Sequence, residues 1–294
     1  MSIDRRRFLA TSALAASTPA LAASVAAGVG QPDGAEDAVD ASAGRLKQSV
    51  CRWCYGPVSL EDLCRASAAM GMASVELLNE GDWDVPKRFG MTCAVANGPG
   101  GITRGWNRLE EHDQLVARSE ELLPKIAAAG LPQMIVFSGN REPGLSDAEG
   151  LENCVRGLKR IMPLAEELGV GIIMELLNSR RDHGGYMCDR TPWGVELVKR
   201  VGSDRFRLLY DIYHMQIMEG DVIATITDNI QYIGHFHTGG VPGRREIDET
   251  QELYYPRICR AIADAGFTGF LGQEFIPSRN PLASLRQAAR ICTV

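Results

Sequence analysis

The chain has 294 residues, of which 45% are hydrophobic and 23% are charged, and its formal net charge is −6. This composition suits a soluble globular protein with one large domain or two small ones. The acidic balance argues against nucleic acids and anionic lipids as partners.

The N-terminus has the form of an export signal. Three arginines, Arg5 to Arg7, precede an apolar, Ala-rich stretch that reaches Ala23, and an Ala-Leu-Ala sequence ends at Ala22. These are the parts of a secretory signal. The arginines resemble the twin-arginine (Tat) motif, although Asp4 stands where that motif usually has Ser or Thr. We therefore predict a twin-arginine signal peptide over residues 1–23, with an uncleaved anchor or an ordinary Sec signal as alternatives.

Removal of this segment changes the charge and sets the location of the mature chain. Three arginines and one aspartate are lost, which leaves a net charge of about −8. Residues 24–46, rich in Ala, Gly, Asp and Ser, are expected to form a disordered linker. The exported protein would be periplasmic or extracellular. We expect no stable membrane insertion after cleavage, because no remaining apolar run is long enough to span a bilayer.

Eight cysteines remain in this exported chain. Cys93, Cys154 and Cys259 sit in apolar runs, where we expect small buried hydrophobic residues. Cys51 and Cys54 have the spacing of a redox or half-zinc motif. They lie in a predicted strand, where residues three apart point to opposite faces, and no second such pair completes a four-cysteine site. We therefore favour packing over redox or zinc chemistry for this pair.

From residue 47 onward, short apolar runs alternate with helical stretches. The predicted strands are 49–56, 74–79, 91–97, 133–138, 171–178, 206–213, 232–238 and 269–275. The helical stretches are 59–70, 82–89, 109–129, 147–168, one beginning at 191, one beginning at 221, 252–265 and 282–291. Alternating units of this kind predict a parallel sheet, and eight of them in about 250 residues have the size of a (β/α)8 barrel. We predict an α/β fold, a single TIM barrel over residues 47–294. A doubly wound open sheet is the alternative, but no glycine-rich phosphate loop follows the first strand.

The stretch 205–220 carries the first chemical signal. An apolar run from Phe206 to Tyr210, typical of a strand buried on both faces, ends on Asp211, and His214 follows three residues later. An unpaired buried charge is costly, so a carboxylate and an imidazole at this place indicate a metal site. Alternatively, Asp211 caps the next turn and His214 packs on the surface.

Three other predicted strands end in the same way. Glu175 ends the fifth, His237 the seventh and Glu274 the eighth. The active site of a barrel lies at the carboxyl ends of its strands, where three converging carboxylates would repel one another. One divalent cation removes that conflict, and the oxygen-rich shell suits Mn²⁺, Mg²⁺ or Co²⁺, with Zn²⁺ or Fe²⁺ as alternatives. Otherwise the carboxylates pair with Arg or Lys, or cap helices.

Several further residues are weaker candidates. His235 lies one layer deeper than His237, so we expect a hydrogen-bonded core histidine. Glu76, near the end of the second strand, could face the pocket. Three tryptophans could stack on a sugar ring, although each is equally compatible with packing: Trp83, Trp106 and Trp193.

Four segments resemble the xylose isomerase-like TIM barrel superfamily. They are MELLN at 174–178, YDIYHMQIMEGD at 210–221, HFHTGGVPGR at 235–244 and GFLGQEFIP at 269–277. The resemblance extends over the chain after residue 46, and its nearest branch looks like hydroxypyruvate isomerase, with ketose 3-epimerases as cousins. It implies one divalent metal, whose ligands would be Glu175, Asp211, His237 and Glu274.

The same resemblance implies roles for individual residues. Glu175 and Glu274 would be the acid/base pair, while His214 and Arg244 would contact the substrate, with Arg245 as the second match for the arginine. Hydroxypyruvate isomerases usually have Gln where this chain has His237. They also continue the next loop with a glycine-rich segment, where this chain has residues 245–252, so we expect a different substrate pocket.

Together these features predict a metal-dependent isomerase or epimerase of a small α-hydroxy carbonyl or keto-sugar substrate, such as a hydroxy-keto acid, acting through an enediolate intermediate. One alternative is a periplasmic lyase or hydratase that acts on oxidised sugars or glycosides with the same metal site. Another is a non-catalytic sugar-binding protein. A DNA-repair endonuclease of this superfamily would need a His-rich multi-zinc site and a basic groove, which five histidines and an acidic chain do not favour. The oligomeric state stays open, with a homo-oligomer compatible with the sequence.

Overall fold

The computed structural model describes residues 38–294. The predicted signal peptide lies outside the described residues, as does most of the predicted linker. Residues 38–46 pack on the barrel, with a short 3₁₀ helix at Ala41–Ala43. The Ala41 amide donates to the Met70 carbonyl at 2.7 Å, and the Arg45 amide donates to the Val294 carbonyl at 2.9 Å. The packed body therefore begins before residue 47, because Ala41 and Leu46 bury their apolar side chains against it.

The described residues form one parallel sheet of seven strands. The strands are β1 (Lys47–Cys51), β2 (Ser74–Glu76), β3 (Gln133–Val136), β4 (Gly171–Leu176), β5 (Phe206–Asp211), β6 (Ile233–Thr238) and β7 (Phe270–Gln273). Their order is β2-β1-β7-β6-β5-β4-β3, so the first strand pairs with the last. A closed barrel requires this pairing between its first and last strands.

The third predicted strand, 91–97, is not a regular strand. It lies between β2 and β3, because Thr92 and Ala96 form isolated bridges to Ser74, Leu78 and Met134. The Ala94 amide donates to the Ser74 hydroxyl at 2.8 Å, so a side chain replaces a backbone carbonyl and interrupts the ladder. The barrel is therefore completed by seven strands and this irregular segment, and every later strand is numbered one lower than predicted.

The helices of the described chain cover the sheet. They are α1 (Leu60–Ala69), α2 (Asp84–Lys87), α3 (His112–Ala128), α4 (Asp147–Leu168), α5 (Thr191–Val201), α6 (Ile212–Met218), α7 (Val222–Asn229), α8 (Tyr255–Asp264) and α9 (Pro281–Cys292). Local chemistry sets their ends: α4 follows a capping box of Ser146 and Glu149 and stops at Gly169, whose φ is +72°. The helix predicted from 252 begins instead at Tyr255, with Pro256 in its first turn. No helix in this part of the chain is long and apolar enough to cross a membrane.

The strands divide the core into two layers. Residues such as Ile172 and Met174 belong to the large cluster between sheet and helices. Ile173 and Leu209 belong to a small separate apolar cluster, together with Ala94, Val95 and Ile135. Because side chains alternate along a strand, residues two positions after Ile173 and Leu209 lie on the same face of the sheet. These are Glu175 and Asp211.

Candidate metal centre and active site

The structure brings the four predicted ligands together. Glu175 on β4, Asp211 on β5, His237 on β6 and Glu274 after β7 each offer a ligand atom, and all four atoms lie within 4.8 Å of one another. His237 Nδ1 is 3.0 Å from Glu274 Oε2 and 3.4 Å from Glu175 Oε1. All four residues are buried. Three carboxylates and one imidazole therefore converge on one point.

We call Glu175, Asp211, His237 and Glu274 the acidic ring. The charges of the acidic ring are only partly compensated. Burial raises the pKa of Glu175 and, more strongly, that of Asp211. Burial acts the same way on Glu274, but the charges of Arg244 and His237 outweigh it and hold the pKa of Glu274 well below its usual range. Glu175 Oε1 and His237 Nδ1 are buried and make no hydrogen bond within the described chain. Buried polar atoms of this kind are normally satisfied, so these atoms fit the ligand shell of a divalent cation.

Arg244 supplies the positive charge on this ring. Its Nη2 lies 3.2 Å from Asp211 Oδ2 and also contacts Glu274 Oε2. The guanidinium carbon sits 5.0 Å from the Trp53 ring centre and 5.4 Å from that of Tyr213. Neighbouring Arg245 is exposed, and its side chain donates to the Ile276 carbonyl at 3.4 Å, outside the acidic cluster. Of the two arginines considered from the sequence, the structure places Arg244 in the site.

The loop that carries Arg244 is held by acidic residues that do not enter the pocket. The Glu246 carboxylate accepts from the Ser278 amide and hydroxyl and from the Ser284 hydroxyl. Asp248 Oδ2 accepts from Arg279 at 2.6 Å. The charged segment 245–252 therefore ties this loop to the one after β7, which fixes the position of Arg244.

His214 lies inside the site and not on the surface. Its amide donates to Asp211 Oδ1 at 3.0 Å, so Asp211 caps α6 while its other oxygen remains in the ring. The imidazole Nδ1 is 2.6 Å from Asn178 Nδ2, whereas Nε2 makes no hydrogen bond among the described residues and lies 3.6 Å from Asp211 Oδ2. Burial, reinforced by the charge of Arg244, holds the pKa of His214 well below its usual value. The imidazole of His214 is therefore neutral, and one of its nitrogens makes no hydrogen bond within the described residues.

A cavity of about 380 Å³ opens beside the ring. It is lined by Trp53, Leu77, Asn97, Ile102, Ile135, Phe137, Glu175, Leu177, His183, Arg244 and Glu274. One wall of the cavity is thus largely apolar. The charged side chains that line the cavity, Glu175, Arg244 and Glu274, lie at the acidic ring. A volume of this order suits a small organic molecule.

The aromatic residue beside the acidic ring is Trp53, which is not one of the tryptophans that we expected there. Trp53 is 46% exposed, and its indole nitrogen donates to Glu274 Oε1 at 2.8 Å. The strand predicted over 49–56 ends at Cys51, and a 3₁₀ helix at Arg52–Tyr55 follows it. Of the tryptophans proposed for sugar stacking, Trp83 and Trp106 are buried, and Trp193 donates to the Asp147 carbonyl at the start of α4. None of these three lines the cavity.

A second cluster of buried polar side chains lies beside the acidic ring. The buried Glu76 carboxylate on β2 is 2.9 Å from His235 Nε2 and 2.8 Å from His237 Nε2 through the same oxygen, Oε1. Burial opposes ionisation of Glu76, but the two histidines outweigh it and hold its pKa well below its usual range. His235 is thus the hydrogen-bonded core residue that we expected. Glu76 has a partner that sequence reasoning did not find.

The cysteines have packing roles in this structure. All eight are buried free thiols. Cys51 Sγ lies 3.5 Å from both His237 Nε2 and Glu76 Oε1, which places it in the wall of the same cluster of buried polar side chains. Cys54 is buried, and burial holds its pKa far above the usual value. A thiol in that state is a poor nucleophile and a poor ligand.

Comparisons with known proteins agree with this architecture. A 2-oxo-tetronate isomerase of Cupriavidus necator is 37% identical over 117 residues, which cover 40% of this chain and 44% of that protein. A putative human hydroxypyruvate isomerase is 32% identical over 122 residues, or 42% of this chain and 44% of that protein. The chain thus spans less than half the length of these two curated relatives.

Solved structures share the fold. The crystal structure of an AP endonuclease, family 2, from Brucella melitensis superposes with a TM-score of 0.72 at 24% identity, over 82% of this chain and 97% of that one. The family model described as a xylose isomerase-like TIM barrel matches residues 64–293, which is most of the chain. The predicted fold is confirmed, and the chain belongs to the xylose isomerase-like TIM barrel family.

Proposed function

We propose that this protein is a metal-dependent isomerase or epimerase of a small α-hydroxy carbonyl or keto-sugar substrate. The observation that carries the proposal is the convergence of Glu175, Asp211, His237 and Glu274 on one point beside a small cavity. The curated relatives named as isomerases support the reaction class.

The four converging residues would hold one divalent cation. Three carboxylates and a single imidazole favour Mn²⁺, Mg²⁺ or Co²⁺, and Zn²⁺ or Fe²⁺ also accept such ligands. When bound, the cation would act as a Lewis acid that polarises a substrate carbonyl and so makes the neighbouring C–H group more acidic. It would also relieve the repulsion among the carboxylates, of which Arg244 contacts Asp211 and Glu274.

The two glutamates would move the proton. Glu175 has an unpartnered oxygen and a raised pKa, so its basicity is closer to what proton abstraction from an α carbon requires. The substrate then passes through an enediolate. Return of the proton by Glu175 to the neighbouring carbon, together with transfer of the hydroxyl proton to the former carbonyl oxygen, gives isomerisation. Delivery of a proton to the original carbon from the opposite face, by Glu274 after it has taken a proton from solvent, gives epimerisation.

Two further side chains would orient the substrate. His214 offers an unpartnered Nε2, and Arg244 offers an unpartnered Nε while its Nη2 is held by the ring. Both can hydrogen-bond to hydroxyl, carbonyl or carboxylate oxygens. The apolar wall formed by residues such as Ile135 and Phe137 would exclude water from the rest of the cavity.

We also propose that the protein works outside the cytoplasm, after export by the twin-arginine pathway. The arginine motif at the N-terminus supports this location. The eight free, buried thiols are compatible with a chain that folds in a reducing compartment before it is exported.

The proposal is tested by metal analysis and by proton exchange. Protein purified without chelator should carry about one divalent cation per chain, and it should exchange the α proton of hydroxypyruvate or of a keto-sugar in D₂O. Glu175→Gln should lower kcat by about 10²- to 10⁴-fold while metal remains bound. The exposed Glu249→Gln in the loop after β6 is the matched control and should behave like wild type.

Three results would change the assignment. Near-normal turnover by Glu175→Gln would refute the role of that residue. Elimination products in place of isomers would favour the lyase alternative. A protein without metal and without exchange would favour sugar binding.

A further inference from the structure

A fourth buried carboxylate lies beside the metal centre and is not part of it. Glu76 is on β2, whereas the histidines that it touches are on β6. In the sheet, β1 and β7 lie between these two strands. The side chain of Glu76 therefore reaches across the inside of the barrel, past two strands, to His235 and His237.

A glycine keeps this path open. A Cβ atom added at Gly272 of β7 would lie 2.4 Å from Glu76 Oε1 and 2.8 Å from His237 Cδ2. Real Cβ contacts are not this short, and both neighbours are buried with little room to move. The contact between Glu76 and His237 thus depends on the absence of a side chain at residue 272.

The geometry indicates which nitrogen of His237 would keep its proton when a cation is bound. A carboxylate oxygen only accepts hydrogen bonds, so His237 donates to Glu76 Oε1 from Nε2. Nδ1 also faces carboxylates, so the ring can carry a proton on each nitrogen while no cation is bound. A bound cation would replace the Nδ1 proton and leave a neutral imidazole with its proton on Nε2 and its lone pair on Nδ1. Nδ1 is the atom that faces Glu175 and Glu274.

We infer that Glu76 is a positioning residue for the metal centre: it holds the Nε2 proton of His237 and thereby presents Nδ1 as the ligand. His235 donates to the same oxygen at 2.9 Å and so holds the Glu76 carboxylate in place. A carboxylate behind a ligating histidine fixes the tautomer and the ring orientation. The inference rests on the proposed metal site, and it adds a residue to that site that makes no contact with substrate.

The first test reads the proton directly and needs no variant. The protein is labelled with ¹⁵N-histidine and loaded with Zn²⁺, which is diamagnetic, and its five histidines are assigned by NMR. We expect a slowly exchanging proton on Nε2 of His237 and a Zn²⁺-shifted resonance for Nδ1. A proton on Nδ1, or Zn²⁺ bound to Nε2, would overturn the inference.

The second test measures affinity. Glu76→Gln should weaken Mn²⁺ binding by about 10- to 100-fold, as measured by calorimetry or by the EPR signal of free Mn²⁺. Ser74→Ala is the matched control on the same strand; it removes a buried hydrogen bond to the Ala94 amide and should leave Mn²⁺ affinity unchanged. Glu76→Asp is shorter by one methylene and should give an intermediate affinity.

The outcomes separate this inference from the proposed function. Wild-type protein that binds no divalent cation would overturn both. Wild-type protein that binds Mn²⁺ as tightly as a folded Glu76→Gln variant would overturn the inference alone. Two cations per wild-type chain would also overturn it, because a second cation would occupy Glu76, His235 and His237. If Glu76→Gln does not fold, the NMR experiment on the wild type decides.

Discussion

Replacement of Arg244 by methionine tests how the acidic ring is balanced. Methionine has a similar length and keeps apolar contact with the rings of Trp53 and Tyr213, but it has no charge. In the native protein the guanidinium touches Asp211 and Glu274, whose side chains are 0% and 4% exposed. The substitution therefore leaves two buried carboxylates without the cation that they share.

The size of the effect follows from this burial. Removal of one partner from a buried ion pair costs about 3–5 kcal/mol. Proton uptake by Asp211, whose pKa burial already raises, relieves part of this cost, so we expect about 3 kcal/mol in the metal-free protein. For a chain of this size, that corresponds to a fall in Tm of about 6–12 °C. Because Arg244 and a divalent cation would bind the same two carboxylates, we expect Arg244→Met to bind Mn²⁺ more tightly than wild type.

The assay is thermal unfolding of wild type and Arg244→Met, each with chelator and each with excess Mn²⁺. At a Mn²⁺ concentration of 100 times Kd, binding stabilises the folded state by about 2.7 kcal/mol. Arg244→Met with Mn²⁺ should therefore have nearly the Tm of wild type in chelator. Arg245→Met, one residue away and exposed, is the control and should change Tm little. If Arg244→Met and wild type have the same Tm in chelator and the same Mn²⁺ titration, the charge balance described here is wrong.

Two further predictions concern other contacts of the site. Hydrogen bonds to Ser278 and Ser284 overcome the effect of burial and lower the pKa of Glu246 from 4.5 to about 2. Its ionised form therefore adds about 3 kcal/mol of stability that is complete above about pH 5 and is lost as the pH falls toward 2. Glu246→Gln should be less stable than wild type at pH 7, and the difference between the two in urea unfolding should shrink with acid; a constant difference would contradict the low pKa. Trp53→Phe keeps an aromatic ring but removes the hydrogen bond to Glu274, and we expect about a tenfold loss in kcat/KM with Tm nearly unchanged. Unchanged kcat/KM would mean that this bond does not serve catalysis.

The sequence allowed prediction of those parts of the site that depend on local pattern. The alternation along β4 and β5 places Glu175 and Asp211 on the face of Ile173 and Leu209, and this alternation can be read directly from the residues. The Asp211–His214 spacing also has a local cause, because the Asp211 side chain caps the helix on which His214 lies. In such cases a few neighbouring residues decide the structure.

Other parts depend on residues that are far apart in the chain. Glu76 meets His235 across 159 positions, and no local pattern indicates that contact. The segment 91–97 has the composition of a strand, but its ladder is interrupted by the Ser74 hydroxyl from a neighbouring strand. The place of Trp53 has a different cause: the predicted strand 49–56 ends at Cys51, and the 3₁₀ helix Arg52–Tyr55 that follows carries Trp53 to the site.

The metal centre and a purely structural ion-pair network make different demands on Glu175. In a structural network each buried carboxylate needs a donor, because a buried charge without one costs more than it contributes. Asp211 and Glu274 meet that demand through Arg244, and Glu76 meets it through two histidines on its Oε1, although its Oε2 has no donor among the described residues. Glu175 does not, because its Oε1 has no hydrogen-bond donor among the described residues.

A cation shared with Asp211, His237 and Glu274 would supply the positive charge that Glu175 lacks. Carboxylates with strongly perturbed pKa values beside a cavity are also typical of catalytic sites. Glu175 is therefore the residue at which metal analysis and mutation separate the two interpretations most clearly.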